Sequence, residues 1–186
     1  MSDGAELIQK HIEFTELSAQ YQELSVFTPQ LPVGANWGYL GQVACTSDGD
    51  NQDHRGLIFL AKDGSDALGD IIDWAPVFID IEQRRFSTWR GILADPERYV
   101  CGGDFFVLGA DKPTAEQTAG IRAIRRDLVS ERQPQRRIWE GRLPKAILSI
   151  WDIVVTDRLH VIPGTFASTD TDSVEGLTLP VVRFNA

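Results

Sequence analysis

The sequence predicts an α+β fold, in which a mostly antiparallel sheet of about five to seven strands carries two main helices packed on one face. Two apolar stripes with helical spacing predict the helices, and several runs of β-branched and aromatic residues predict the strands. The chain has 186 residues, 42% of them hydrophobic, which suits one hydrophobic core. Residues 1–186 are therefore predicted to form a single domain.

The N-terminal segment, residues 1–27, is predicted to be a helix. Phe14, Leu17, Tyr21 and Leu24 lie three or four residues apart, as residues on one buried face of a helix do. The prolines that follow end this helix, because proline has no amide hydrogen to donate.

The central part of the chain is predicted to be rich in β-strands. These strands are expected at Trp37–Cys45, Leu57–Ala61, Asp70–Ile81, Arg85–Ile92 and Tyr99–Leu108. The first two are predicted to pair around a polar, acidic loop, and the next two to pair with each other. Pro76 favours an edge strand or a bend, because proline cannot donate to a ladder. The adjacent Gly102 and Gly103 predict a bulge or a close approach of two backbones.

A second helix is predicted from Thr114 to Arg132. Thr114 and Gln117 fit a capping box, in which each side chain accepts a hydrogen bond from the other residue's amide. The apolar stripe of this helix consists of Ile121, Ile124 and Leu128. It is predicted to end before Pro134, which disfavours helical backbone in the residue before it.

The C-terminal part is predicted to mix short elements. They are a connector at Gln135–Arg142, a short helix from Pro144 to Ile150, and strands at Trp151–Thr156, Leu159–Ile162 and Leu179–Phe184. Residues 163–186 are predicted to form a loop and a C-terminal arm, because Pro163–Gly176 is too polar to bury itself. We expect the arm to dock on the domain's own sheet in preference to a partner. No internal repeat is recognised.

Positive charge is concentrated in one segment of an otherwise acidic chain. Residues 122–145 hold eight of the eighteen Lys and Arg residues against three acids, whereas the whole chain has a net charge of -9. Separating charge in this way costs solvation and self-repulsion unless a partner uses it. The predicted partner-binding residues are Arg122, Arg125, Arg126, Arg132, Arg136, Arg137, Trp139 and Arg142. The alternative is that these arginines pair with the protein's own acids.

Other candidate chemistry is weaker in each case. Residues 48–53 begin like a calcium loop, but the positions that need Gly and Glu carry Asp53 and Phe59. Asp80 and Glu82 are two carboxylates that could hold Mg²⁺, or polar residues on the wet face of a sheet. Cys101 could be a nucleophile, but its apolar neighbours favour a core thiol. No catalytic or metal-ligating residues are therefore predicted.

These observations predict a non-enzymatic interaction or structural protein that works in a larger assembly through the arginine-rich helix and connector. An acidic protein partner is favoured, and a nucleic acid bound through the same segment is the alternative. A metal-dependent phosphodiesterase or nuclease is the third hypothesis. No nucleotide-binding motif is recognised, so no cofactor is predicted. A missing signal sequence and the lack of a long apolar run predict a cytoplasmic protein without a membrane partner.

Overall fold

The structure, a computed structural model, describes residues 6–46, 54–144, 146–153 and 158–186. Within these ranges it is built from β-strands, and its one helical element is a single turn of 3₁₀ helix at Arg126–Leu128. The prediction of an α+β fold with two main helices packed on a sheet is therefore wrong. None of the described elements is a helix long and apolar enough to cross a membrane.

The described strands fall into three successive groups of six, which we call repeats 1, 2 and 3. Repeat 1 contains β1 (Leu7–Glu13), β2 (Glu16–Tyr21), β3 (Leu24–Thr28), β4 (Gly38–Tyr39), β5 (Val43–Thr46) and β6 (Arg55–Ala61). Repeat 2 contains β7 (Leu68–Gly69), β8 (Ile71–Ile79), β9 (Phe86–Leu93), β10 (Tyr99–Cys101), β11 (Phe105–Leu108) and β12 (Ala123–Arg125). Repeat 3 contains β13 (Val129–Arg132), β14 (Arg136–Leu143), β15 (Ala146–Asp152), β16 (His160–Val161), β17 (Ala167–Thr169) and β18 (Leu179–Arg183).

All three repeats have the same topology. In each, the first, sixth and fourth strands form a three-stranded antiparallel sheet in that order, which we call the closing sheet. The second, third and fifth strands form another antiparallel sheet, which we call the hairpin sheet. The hairpin sheets are β2–β3–β5, β8–β9–β11 and β14–β15–β17. The chain is therefore three divergent copies of one six-stranded unit.

A β-bulge marks the same position in every hairpin sheet. The register shifts between Leu17 and Ala19, between Pro76 and Phe78, and between Arg137 and Trp139. The residue before each bulge pairs with an aromatic residue on the next strand, and these residues are Phe27, Trp89 and Trp151. They are equally spaced along the chain, so the repeats can be aligned residue by residue in these sheets.

The hairpin sheets enclose a common core. Their edge strands contact one another in pairs, β5 with β14, β17 with β8, and β11 with β2. The enclosed cluster, which we call the hairpin core, takes residues from all three sheets, including Val26, Phe78, Phe106, Trp139 and Ile150. A second cluster is built from the closing sheets in the same way. Burial of these apolar side chains from three sides stabilises the fold.

The predicted N-terminal helix is replaced by β1, β2 and the start of β3. The residues at helical spacing lie in different parts of the structure and do not share one face. Phe14 is fully buried in the corner between two strands and packs edge-on against Tyr39. Leu17 is 53% exposed just before the bulge, and Leu24 begins the next strand inside the hairpin core. A corner and a bulge thus break the period of two that strands normally show.

The predicted second helix is also wrong, because residues 115–120 form turns and no helix. The capping box forms: the Thr114 amide donates to Gln117 Oε1 at 2.9 Å, and the Gln117 amide donates to Thr114 Oγ1 at 3.2 Å. Gly120 then adopts φ of +85°, a left-handed conformation that ends helices. The chain continues as β12, the 3₁₀ turn and β13.

Other predicted elements have mixed outcomes. The pairing of Asp70–Ile81 with Arg85–Ile92 is confirmed, with β8 at a sheet edge and a register shift after Pro76. The helix from Pro144 to Ile150 is wrong, because this segment is strand β15. The loop at 163–176 contains β17, preceded by the 1% exposed Phe166. Docking of the last segment on its own domain is confirmed, since β18 lies between β13 and β16.

Candidate functional site

The predicted partner-binding residues are spread over three sheets and do not share a helix. Arg122 precedes β12, Arg125 is its last residue, and Arg126 starts the 3₁₀ turn. Arg132 ends β13 in the closing sheet of repeat 3. The remaining four, Arg136, Arg137, Trp139 and Arg142, lie on β14 in the hairpin sheet of repeat 3.

Arg125 forms ion pairs with three acids of its own chain. Its guanidinium pairs with Glu6, with Asp66 at 2.5 Å and with Asp127 at 2.6 Å, and its side chain is only 13% exposed. Hydrogen bonds to Glu6 and then Asp127 raise the pKa of Arg125 further above its ordinary value. This side chain therefore joins the chain start to repeat 2 and is poorly placed to meet a partner.

Arg122 and Arg126 bind backbone carbonyls. Arg122 donates through Nε to the Gly69 carbonyl at 3.0 Å and through Nη2 to the Leu68 carbonyl at 3.2 Å. Arg126 donates through Nε and Nη2 to the Pro96 carbonyl, while its Nη1 bonds Glu131 at 2.7 Å. Both arginines tie neighbouring segments of the domain together.

Arg132 takes part in a contact that superficially resembles a catalytic pair. Ser130 Oγ lies 3.0 Å from His160 Nε2, and Arg132 Nη2 lies 3.1 Å from His160 Nδ1. Arginine can only donate, so Nδ1 accepts and the hydrogen of a neutral ring is on Nε2. A base for Ser130 would need its lone pair on Nε2. His160 is therefore in the wrong tautomer to act as a base for Ser130.

Two more arginines of the set, Arg137 and Arg142, lie on the outer face of the hairpin β14–β15. Arg142 has a side chain that is 75% exposed, and its Nη2 lies 3.0 Å from Glu140 Oε1. Arg137 has its guanidinium carbon 5.7 Å from the centre of the Trp151 ring and its Nη2 3.5 Å from Glu140 Oε2. We call Arg137, Arg142 and Trp151 the arginine face. Next to it, Arg136 makes a bidentate pair with Asp152.

The two tryptophans of this hairpin point in opposite directions. Trp139 is 4% exposed and belongs to the hairpin core, with Phe86 and Tyr21 packed edge-on against it. Trp151 is half-buried on the outer face and donates from Nε1 to Thr169 Oγ1 at 2.9 Å. The ring that lies beside Arg137 is thus Trp151, which the sequence did not single out.

The aromatic residues equivalent to Trp151 in repeats 1 and 2 are covered by other side chains. Trp89 is 6% exposed and donates from Nε1 to Ser87 Oγ at 2.8 Å. Phe27 stacks on the His54 ring with 4.8 Å between the ring centres. In repeat 3 the corresponding ring is covered on one side by Arg137. Of the three equivalent aromatic positions, this one carries an arginine next to an exposed surface.

The predicted carboxylate pair is not arranged for a metal. Asp80 is 3% exposed, and its carboxylate accepts from the Gln83 amide, the Arg85 amide and Arg85 Nε. Burial would raise the pKa of Asp80, but the bonds from Arg85 and the amides outweigh it and lower the pKa. Asp80 therefore fixes the β8–β9 turn. Among the described residues, no three His, Cys, Asp or Glu side chains are placed to hold a metal ion.

The predicted cysteine and loop chemistry has limited structural support. Cys101 hydrogen-bonds the Gly91 carbonyl at 3.4 Å, and burial raises the pKa of its thiol to about 11. A thiol with this pKa is a poor nucleophile near neutral pH. His54 contacts the Phe14 carbonyl through Nδ1 at 2.9 Å. The predicted acidic loop, residues 48–53, lies outside the described residues.

The threefold repeat has a short signature in the sequence. Leu24-Ser25-Val26-Phe27, Phe86-Ser87-Thr88-Trp89 and Leu148-Ser149-Ile150-Trp151 are equally spaced and share an apolar-Ser-x-aromatic pattern. Each tetrapeptide lies in the middle strand of its three-stranded hairpin sheet, and its first and third residues are buried in all three repeats. The pattern makes Trp151 equivalent to Trp89 and Phe27, and the strand register adds its pairing with Arg137.

Comparison with known proteins adds information about the fold. No protein-family model and no curated protein matches the chain. Among solved structures, the chain is similar to GNIP1Aa from Chromobacterium piscinae, with a TM-score of 0.74 and 18% sequence identity. The match covers 98% of this chain and 38% of that protein. The chain thus spans about two fifths of the length of GNIP1Aa, and the same fold occurs there as part of a longer protein.

Proposed function

We propose that the protein is a non-enzymatic interaction module that binds an acidic segment of a partner protein through the arginine face. The single observation that carries this proposal is the guanidinium of Arg137 over the Trp151 ring with the exposed Arg142 beside it. Arginine and tryptophan are the residues most enriched among those that dominate binding at protein interfaces. An arginine stacked on a ring is also partly ordered before binding, which lowers the entropy cost of association.

The local charge supports an acidic partner. Arg137 and Arg142 share a single acid, Glu140, so the face keeps one positive charge more than its own carboxylate neutralises. Glu140 is only 19% exposed, so both guanidinium groups are more exposed than the carboxylate that they share. Against a chain of net charge -9, a carboxylate-rich segment would be attracted here and repelled elsewhere.

The occurrence of this fold as 38% of a longer protein supports a module that works within a larger assembly. A cytoplasmic setting is part of the proposal, supported by Cys45 and Cys101, which are not joined in a disulfide. Binding of nucleic acid through the arginines and metal-dependent phosphodiester hydrolysis are the other candidates. Most of the arginines are engaged within the chain, and Asp80 is engaged in a turn, so neither is favoured.

Affinity capture with matched charge variants tests the proposal. The wild-type chain, the R137E/R142E variant and an R84E/R98E control are immobilised and exposed to nuclease-treated lysate of the native source at about 0.15 M salt. Arg84 and Arg98 have side chains that are 62% and 51% exposed, so the control changes the net charge equally. Thermal melting first establishes that both variants are folded.

We expect a protein that the wild type and the control capture and the R137E/R142E variant loses. Equal capture by R137E/R142E would contradict the proposal. Capture of nucleic acid instead, seen when nuclease is omitted and lost as salt rises, would favour the nucleic-acid alternative. A rise in melting temperature with Mg²⁺ that the D80A substitution abolishes would favour the metal-dependent enzyme.

A further inference from the structure

A groove of about 390 Å³ lies between repeats 2 and 3, and no residue of the arginine face lines it. One side is formed by β9 and β10, and the other by the stretch that leads into β18. Its apolar wall consists of Ile92, Leu93, Pro96, Val100 and Leu177. A volume of this size suits a small organic molecule, and sites for such molecules combine an apolar lining with a few fixed polar groups.

A rigidly held guanidinium supplies the fixed polar group. Arg90 donates through Nε and Nη2 to the two oxygens of Asp104, both at 2.9 Å, and through Nη2 to the Ser168 carbonyl at 3.2 Å. Asp104 is 2% exposed, so it anchors the arginine firmly. Nη1 of Arg90 has no hydrogen-bond partner among the described residues, and the side chain is 45% exposed. Two oriented N–H groups are thus available to a bound molecule.

The hydrogen bonding of the lining favours a negative ligand. Its charged side chains within the described ranges are Arg90, Arg126 and Asp104. Because Arg126 is paired with Glu131 and Arg90 with Asp104, the Nη1 edge of Arg90 is the positive group left for a ligand. Asp104 already accepts from Arg90 and from the Ser168 amide and hydroxyl, so it offers little to a cation. A carboxylate matches a guanidinium in both charge and planar geometry.

We propose that this groove binds a small monocarboxylic acid with an apolar body, of the aromatic or branched aliphatic class. The carboxylate accepts from the Nη1 edge of Arg90. The body of the ligand packs against Ile92, Val100 and Leu177. This binding does not depend on the arginine face, so it stands or falls separately from the proposed function.

Thermal melting of the purified chain with three probes tests the ligand class. The probes are benzoate, benzyl alcohol, which has the same ring without the charge, and inorganic phosphate at matched ionic strength. Benzoate should raise the melting temperature by about 5 °C or more once its concentration reaches about 100 times its Kd. Benzyl alcohol and phosphate should each give a much smaller rise.

Two variants locate the site. I92E adds a negative charge to the apolar wall at a residue that is 41% exposed, so it should fold and lose the response to benzoate. L17E makes the same type of change at a 53% exposed residue on β2, outside the groove, and should keep it. Cys101 lines the groove and gives a second readout, since bound benzoate should slow its alkylation by uncharged N-ethylmaleimide.

Each other outcome overturns the proposal. Equal stabilisation by benzyl alcohol would show apolar binding without recognition of the carboxylate. Equal stabilisation by phosphate would show an anion site without the apolar component. Retention of the benzoate response in I92E would place the site elsewhere. No saturable rise and no protection of Cys101 at millimolar benzoate would exclude the site.

Discussion

Replacing Asp104 by alanine should cost the fold far more than replacing an exposed aspartate that also pairs with arginine. Asp104 is 2% exposed and accepts bonds from Arg90 Nε, Arg90 Nη2, the Ser168 amide at 2.7 Å and Ser168 Oγ at 2.8 Å. It lies in repeat 2 and binds the hairpin sheet of repeat 3, so it links two repeats. Asp111 pairs with Arg84 at 3.1 Å, and its side chain is 94% exposed.

The size of the loss follows from burial. Removing one partner of a buried ion pair costs about 3–5 kcal/mol, because the other partner loses its neutralising charge. Arg90 is 45% exposed and regains water, which places D104A at the lower end, about 3 kcal/mol. An exposed ion pair is worth about 0–1 kcal/mol, so D111A should change stability by less than about 0.5 kcal/mol.

Urea unfolding followed by the fluorescence of the five tryptophans measures both free energies of unfolding. The urea dependence of the free energy should be the same in the wild type and the two variants, which checks that the comparison is valid. A D104A variant within about 1 kcal/mol of D111A would refute the reasoning that this buried carboxylate holds repeats 2 and 3 together.

Three further changes test other parts of the structure. The pKa of Asp80 is lowered in the folded state, so its carboxylate stabilises the fold at pH values above its ordinary pKa. The difference in free energy of unfolding between wild type and D80N, measured by urea titration, should therefore shrink as pH falls from about 5 to 2. A difference that stays constant over this range would contradict the prediction. G141A would place a Cβ 2.4 Å from the Trp139 ring and should cost about 1–3 kcal/mol by the same measurement, whereas an unchanged free energy would show that the ring can move. Cys101, whose pKa is raised to about 11, should react with iodoacetamide at pH 8 many times more slowly than a free thiol such as glutathione, and equal rates would show that it is open to solvent.

The sequence predicted strands well where two consecutive strands pair with each other in one sheet. The β8–β9 hairpin was found because Ile71–Ile79 and Phe86–Leu93 pair with each other over their whole length. Strands such as β10 and β11 were merged into one segment, Tyr99–Leu108, although they belong to different sheets. The break at Gly102 and Gly103 reflects a close approach, since a Cβ on Gly102 would lie 2.6 Å from the Leu40 carbonyl oxygen. Only the tertiary structure shows that the chain changes sheets there.

The helices were predicted because apolar residues at helical spacing were expected to pack together on one face. Ile121, Ile124 and Leu128 have helical spacing, but Ile121 packs in a cluster with Tyr39, and the other two belong to the cluster of the closing sheets. Short strands that change sheets every few residues bury residues at irregular intervals, and these intervals can imitate a helix. The capping box is a local signal and was correct locally, yet Gly120 ends the turn that it begins.

The candidate site was only partly accessible to sequence reasoning. Charge clustering indicated the segment that holds Arg137 and Arg142, but it gave equal weight to Arg125, which is paired with three acids of its own chain. Composition does not reveal which arginines are already paired, because their partners are far away in the sequence. Glu6, for example, meets Arg125 only through the pairing of distant segments.

Cross-strand contacts measured by NMR test the threefold repeat most directly. The structure predicts backbone proton contacts between Val26 and Ala44, between Thr88 and Phe106, and between Ile150 and Ser168, which occupy equivalent positions in the three hairpin sheets. Observing all three would show that the hairpin sheets of repeats 1, 2 and 3 have the same strand pairing. Helical contacts between residues three apart over 121–128, in place of the predicted strand contacts, would contradict it.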